Sequence, residues 1–225
     1  LPQQILLVKI IITGTTGMVG EGVLLECLEN AQVTEVLSVS RRPTGRQHAK
    51  LKEYIVPEFL SLKPGDELLK GYDACFFCSG VSVIGKNESE YRLLTYDTAL
   101  AFAQALLPNA QMTFIYVSGR STDSSEEGKV MWARIKGKTE NDLMKLPFKR
   151  VFAFRPAFME ATAGQQRLPK AYKYLSWLVP VIRLITPGSM NSLQQVGKAM
   201  IEAAKNGYEK NVVEVKDITI LAGRG

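Results

Sequence analysis

A run of apolar residues, Ile10-Ile11-Ile12, stops at Thr13-Gly14-Thr15-Thr16-Gly17-Met18-Val19-Gly20-Glu21-Gly22. Val8 to Thr13 is short and rich in β-branched residues, which predicts a buried strand. From Gly17 the period changes: Val19, Val23, Leu24, Cys27, Leu28 and Ala31 recur at helical spacing and predict a helix to about Asn30. The glycines between must turn the chain tightly. Glycine permits positive φ and close approach of a second backbone or a ligand. A helix start presents unpaired N–H groups and a partial positive charge. The stretch Gly14, Thr15, Thr16, Gly17, Met18, Val19, Gly20 is therefore a candidate cradle for an anion, with a pyrophosphate as its natural occupant. No Gly-Lys-Ser/Thr follows, so it is not a P-loop.

Strand and helix signals alternate along the rest of the chain. Strands are predicted at Val36–Ser40, Tyr54–Val56, Asp73–Cys78, Met112–Val117 and Arg150–Phe154, with a late one within Val212–Leu221. Helices are predicted from Pro64-Gly65-Asp66 to Lys70, then over Glu88–Leu107, Glu126–Leu146, about Lys170–Ile185 and Ser192–Asn206. This alternation implies an α/β fold of the Rossmann type: a doubly wound parallel sheet with helices on both faces. No repeat or linker interrupts the chain, and its 225 residues are read as one domain, 1–225. Such sheets bind ligands beyond the carboxyl ends of their strands. Those ends are Gly14, Ser40-Arg41, Ser79-Gly80, Ser118-Gly119 and Arg155-Pro156, and most are small, polar or basic.

Composition narrows the partners. The net charge of +6 is compatible with an anionic ligand, but the basic residues gather in one turn without an aromatic stacking platform, which argues against nucleic acid. Cys75-Phe76-Phe77-Cys78 has C-x-x-C spacing, yet residues three apart on a strand point to opposite faces. Three cysteines, Cys27, Cys75 and Cys78, argue against a disulfide framework, and Cys75 and Cys78 read as two buried thiols in a reducing, cytoplasmic setting. One histidine, His48, lies among Arg46, Gln47 and Lys50 and reads as a solvated loop residue, so no metal site is expected. No uncharged stretch is long enough to span a membrane. Leu1-Pro2-Gln3-Gln4 lacks an initiator Met and reads as a trimmed or processed start, and Ile5–Ile12 reads as a strand rather than a leader.

Dinucleotide sites without a 2′-phosphate usually carry an acidic residue about 20 residues past the glycines. Ser40-Arg41-Arg42 stands there instead. Arginine offers a planar, permanently charged fork for phosphate. Arg41 and Arg42 therefore point to NADP rather than NAD, with Arg46 and Lys50 adding positive potential.

The spacing Gly14-x-x-Gly17-x-x-Gly20, with Tyr116-Val117-Ser118-Gly119, Trp132-Ala-Arg-x-Lys136-Gly137-Lys-Thr-Glu140 and Phe154-Arg155-Pro156, resembles the atypical short-chain dehydrogenase/reductase family. The match is to a bacterial branch of NAD(P)-binding epimerase- or oxidoreductase-like members, similar to the human Tat-interacting-protein type. The resemblance implies a nicotinamide dinucleotide held by the glycine turn, Ser79, Gly80, Arg155, Pro156 and Lys136. Active members use a Tyr-x-x-x-Lys pair and an upstream serine. Lys136 matches the lysine, Ser118 the serine loosely (Ser121 and Ser124 compete), and Trp132 stands at the tyrosine. An indole N–H donates a hydrogen bond but is no practical proton donor. Another acid would have to act, with Tyr91, beyond the fourth strand, and bound water as candidates and Tyr96 nearby.

Two functions follow from the resemblance. One is an NADP-dependent oxidoreductase acting on a small carbonyl or hydroxyl compound, with Ser118, Trp132 and Lys136 positioning the reaction. The other is a non-catalytic NADP(H)-binding sensor or regulatory protein. The substrate side is expected mainly in 156–190. There Tyr172, Leu175, Trp177, Leu178, Val181, Ile182 and Ile185 form an apolar segment broken by Pro180. A lid, a homodimer surface, a membrane-surface helix and plain core packing all suit it.

Overall fold

The computed structural model describes residues 6–107, 109–168, 172 and 190–224. The strand of the opening motif is β1 (Val8–Thr13), and the glycines lead into α1 (Met18–Glu29). Then come β2 (Val33–Ser40), β3 (Leu51–Ile55) and β4 (Ala74–Phe77). Next are α2 (Glu88–Arg92), a π-helical turn (Leu93–Asp97) and α3 (Thr98–Ala105). They are followed by β5 (Thr113–Val117), α4 (Met131–Leu143) and β6 (Arg150–Arg155). Two short strands, β7 (Phe158–Glu160) and β8 (Met190–Ser192), pair with each other. The chain closes with α5 (Leu193–Asn206), β9 (Val212–Glu214) and α6 (Val215–Ala222).

The main sheet has seven strands in the order β3-β2-β1-β4-β5-β6-β9, and every pairing is parallel. This is the doubly wound, Rossmann-type α/β fold, and the strand order reverses between β1 and β4. A sheet covered on both faces needs apolar residues on both, which is why β1 reads as an unbroken apolar run. Ile10 and Ile12 pack with Val23, Leu24, Val196 and Met200 from α1 and α5. Ile11 points the other way, into a core with Phe77, Phe102, Phe114 and Tyr116. Cys75 belongs to that second core, whereas Cys78 packs against the first, so the C-x-x-C pair is split across the sheet.

Several element boundaries differ from the sequence reading: the third strand runs Leu51–Ile55 rather than Tyr54–Val56, and the helix expected from Pro64-Gly65-Asp66 to Lys70 is a single 3-10 turn at Glu67–Leu69. The helix expected from Glu126 starts at Met131. The Asp123 carboxylate accepts hydrogen bonds from Ser125 N–H, Ser125 Oγ and Gly128 N–H, an alternative that competes with helical bonding. Ser121 and Glu126 adopt left-handed φ values of 68° and 65°. The helix expected from Glu88 to Leu107 carries the π-turn at Leu93–Asp97, which periodicity does not reveal. The late strand stops at Glu214, because Asp217 Oδ2 accepts the Glu214 N–H and opens α6. The helix expected over Lys170–Ile185 lies outside the described residues, apart from Tyr172.

The 119–130 loop folds down onto α4 at Gly137. A Cβ there would sit 1.7 Å from the Asp123 carbonyl oxygen, so no side chain fits. Overpacking costs about 1–3 kcal/mol where neighbours can adjust, and here the obstacle is backbone. Gly137→Ala is expected to lose at least the upper end of that range in urea unfolding, with the loop displaced.

Candidate functional site

Gly14 ends β1 with φ +72°, and a Cβ on it would meet the Cys78 carbonyl oxygen at 2.7 Å. A Cβ on Gly20 would lie 2.3 Å from the Gly14 carbonyl oxygen. The turn is thus pressed between the end of β4 and the first turn of α1. Gly17 N–H donates to the Gly14 carbonyl at 2.9 Å, and Ser79 N–H donates to Thr13 Oγ1 at 3.2 Å. Thr15 is buried and shares a 2.7 Å hydrogen bond with Ser38 on β2. No side chain caps α1 at Gly17, so the leading N–H groups, from Met18 and Val19, have no side-chain cap among the described residues.

A cleft of about 530 Å³ opens at this turn. Gly14, Thr16, Gly17, Arg41, Ser79 and Gly80 line it, and they are joined by an apolar wall that includes Phe59, Leu60, Leu93 and Leu94. The sequence reading missed that wall. The π-turn begins at Leu93, and both leucines, although exposed, reach the cleft.

The basic turn divides. Arg41 and Arg42 are exposed, and neither guanidinium has a hydrogen-bond or ion-pair partner among the described residues. Arg41 lines the cleft and Arg42 does not. Arg46 turns away from it: its guanidinium donates to Glu21 Oε1 at 2.6 Å and to the Gly164 carbonyl at 2.8 Å. Lys50 donates to the Leu28 and Asn30 carbonyls at the end of α1. Arg46 and Lys50 are therefore engaged elsewhere, contrary to the sequence reading.

Glu21 is the residue that reading overlooked. It is buried in the first turn of α1, and besides Arg46 its carboxylate accepts the Gln166 N–H at 3.0 Å and the Arg167 N–H at 2.7 Å. Gln165 Nε2 donates to the Met18 carbonyl at 2.7 Å. Segment 164–167 is thereby strapped across the start of α1. An acidic residue in a helix first turn is an ordinary sequence signal, and nothing in the sequence pairs it with residues this remote.

At the carboxyl end of β5, Ser118 is buried and its hydroxyl donates to the Phe154 carbonyl at 3.2 Å. Lys136 Nζ donates to the Ser118 carbonyl oxygen, so the fold brings Lys136 and Ser118 together. Trp132 sits one turn before Lys136, half-buried, with no hydrogen bond among the described residues. Burial pushes the Lys136 ammonium down to about 8, although Glu140 pulls the other way.

Arg155 lies among ion pairs and not on the cleft. Its guanidinium donates to Glu140 Oε1 at 3.1 Å and Oε2 at 2.5 Å, to Ser124 Oγ, and to Glu214 at 3.3 Å. Pro156 accepts the Arg120 N–H on its carbonyl and is likewise absent from the cleft lining. Tyr91 is buried, and burial raises its phenol; Tyr96 donates to Asp142 at 2.8 Å. His48 is exposed, and the described residues include no metal-binding group of His, Cys, Asp and Glu.

No family model matches the chain. It is 24% identical over 205 residues to "Protein fmp52-1, mitochondrial" of Aspergillus terreus, covering 88% of this chain and 86% of that one. It is 24% identical over 212 residues to "Protein HTATIP2" of Rattus norvegicus, covering 88% and 86%. Among solved structures, MoeE5 in complex with UDP-glucuronic acid and NAD superposes with a TM-score of 0.66 at 17% identity, covering 92% of this chain and 76% of that one. A short chain dehydrogenase family protein from Francisella tularensis superposes with a TM-score of 0.63 at 12% identity, covering 95% and 99%. These likenesses support the resemblance to atypical short-chain dehydrogenases, including the Tat-interacting type. The cytoplasmic expectation is corrected: six relatives are named mitochondrial. Free thiols were a poor guide, because they mark a reducing environment and not one compartment. No helix among the described residues is long and apolar enough to cross a membrane.

Two titrations probe this geometry. Burial opposes ionisation of Glu21, but the hydrogen bonds from Arg46, Gln166 and Arg167 outweigh it and hold the carboxyl below its ordinary 4.5. A carboxyl lowered on folding stabilises above its ordinary value and stops doing so as pH falls through the folded value. Glu21→Gln should lose about 1–3 kcal/mol at neutral pH and show a shallower acid limb in urea melts. Lys136 has the opposite sense: folding weakens its proton, so stability should rise between about 8 and 10.5. Lys136→Met should flatten that rise.

Proposed function

We propose that the chain binds NADP(H) at the carboxyl ends of β1, β2 and β4 and acts as an oxidoreductase on a small carbonyl or hydroxyl compound. The observation that carries this reading is Arg41. Its unpaired guanidinium lines the same cleft as the glycine turn, at the place where a 2′-phosphate would need a cation. The glycine cradle suits a pyrophosphate, because side chains on Gly14 and Gly20 would clash with backbone and the α1 N–H groups stand uncapped. The apolar wall of Phe59, Leu60, Leu93 and Leu94 suits a flat heterocycle. The NAD named with MoeE5 supports a nicotinamide cofactor, without choosing between its two forms.

Such a cofactor, when bound, supplies hydride chemistry at its nicotinamide ring. In this reading Thr16, Gly17, Met18 and Val19 hold the diphosphate, with Thr15 buttressing the turn from below. Ser79 and Gly80 line the path towards β5. Arg42 adds charge beside Arg41. Lys136 binds a ribose hydroxyl, the Ser118 hydroxyl polarises a substrate carbonyl by donating to its oxygen, and Trp132 closes one wall over the reacting groups. Arg155 and Pro156 act indirectly, by holding the end of β6. In this reading the described residues form one dinucleotide-binding domain, and most of the substrate side expected in 156–190 lies outside them.

A second reading, a non-catalytic NADP(H) sensor, is favoured by Trp132 and by the state of the tyrosines. Tyr91 and Tyr116 are buried and Tyr96 is bonded to Asp142, so none of these phenols offers a ready proton.

Titrating NADPH and NADH while following nicotinamide fluorescence tests the common premise. NADPH should bind at least about tenfold more tightly, and Arg41→Ala should abolish the difference, matching the ~1.5–3 kcal/mol of a charge-assisted hydrogen bond. Equal binding of both forms would sink the 2′-phosphate claim. Tight NADPH binding without turnover across a broad carbonyl panel would favour the sensor.

A further inference from the structure

We propose that Arg120 selects ligands bearing an anionic oxygen group, carboxylate or phosphate, beside the reacting carbon. That these ligands are substrates rests on the oxidoreductase reading, whereas the anion site rests on geometry. Arg120 follows Ser118-Gly119 at the carboxyl end of β5, where doubly wound sheets place their ligands. It is exposed, and its guanidinium has no hydrogen-bond or ion-pair partner among the described residues.

Lys129 in the same loop is likewise exposed without a partner among the described residues, but the other basic neighbours are engaged. Arg155 is taken by Glu140, Arg134 by Glu88 and Lys138 by Asp142. The acid nearest in sequence, Asp123, spends its carboxylate on Ser125 and Gly128. Lys136 adds a second cation, because its Nζ lies 4.0 Å from where a Cβ on Gly119 would sit. No carboxylate among the described residues hydrogen-bonds or ion-pairs with either Arg120 or Lys136.

The backbone beneath Arg120 is held firmly. Its N–H donates to the Pro156 carbonyl at 2.9 Å, and Thr122 Oγ1 donates to the Gly119 carbonyl at 2.7 Å. Gly119 has φ +136° and Ser121 a left-handed 68°. A non-glycine residue in that region costs of order 1 kcal/mol and persists only where its surroundings impose it. The turn thus presents one arginine from a fixed base. A planar fork on a rigid support suits two-oxygen anions.

The test uses the full chain saturated with NADPH and titrates four probes by calorimetry: oxamate, glycerol phosphate, and the neutral oxamide and glycerol. At least one anion should bind about tenfold more tightly than its neutral counterpart, and which one does so separates carboxylate from phosphate. Arg120→Ala should erase that advantage, and Arg120→Lys should keep part of it. Equal binding of charged and neutral probes, or an unchanged advantage in Arg120→Ala, overturns the proposal. NADPH titration of the same variants shows that they are folded. Repeating the anion titrations without cofactor separates the two claims. Anion selectivity with no NADPH affinity would sink the dinucleotide reading alone, and NADPH affinity with no anion selectivity would sink Arg120 alone.

Discussion

Close contact of the glycine turn with the end of β4 and the start of α1 sets the rest of the molecule. Gly14 approaches Cys78, and Gly20 approaches Gly14, at distances that leave no room for a Cβ. That contact brings the first strand, its neighbour across the reversal of strand order, and the first helix to one point. The uncapped helix start, the cleft and Arg41 all take their positions from it. A side chain at either glycine would push the turn away from the end of β4 and the start of α1.

Two buried ionic networks extend this anchor to the other half of the chain. Glu21 joins the start of α1 to Arg46 after β2 and to the backbone of Gln166 and Arg167. Glu140 and Arg155 join α4 to β6, with Ser124 and Glu214 completing the set. Breaking such pairs one partner at a time is expensive, since the remaining charge stays buried. The first ties the start of α1 to segment 164–167, and the second ties α4 to the ends of β6 and β9. The two networks engage Arg46 and Arg155, whereas Arg41, Arg42 and Arg120 have no side-chain partner among the described residues.

The parts of the fold legible in sequence were those with a local cause. The strand of Val8–Thr13, the glycine turn and the alternation of elements all come from residues close in the chain. The same holds for the splitting of Cys75 from Cys78, which follows from strand period alone. Where reading failed, a local hydrogen bond competed with periodicity. Asp123 drew the chain out of the helix expected at Glu126, and Asp217 turned the strand expected to reach Leu221 into α6. The π-turn escaped because Leu93 and Leu94 fit a plain helical pattern equally well.

For the site, the sequence by itself determined the chemistry available: glycines after a strand, arginines after the second strand, a tryptophan one turn before a lysine. Those follow from residue type and spacing, which are local. Only the tertiary structure decided which charges stay free. Arg41 and Arg46 are alike in sequence, yet one lines the cleft and the other is bound to Glu21. Lys136 became a half-buried amine bonded to the Ser118 carbonyl, and Arg155 a partner of Glu140, through contacts between distant segments. Pairing and burial depend on what the fold brings alongside, and the energy of a charge depends on both.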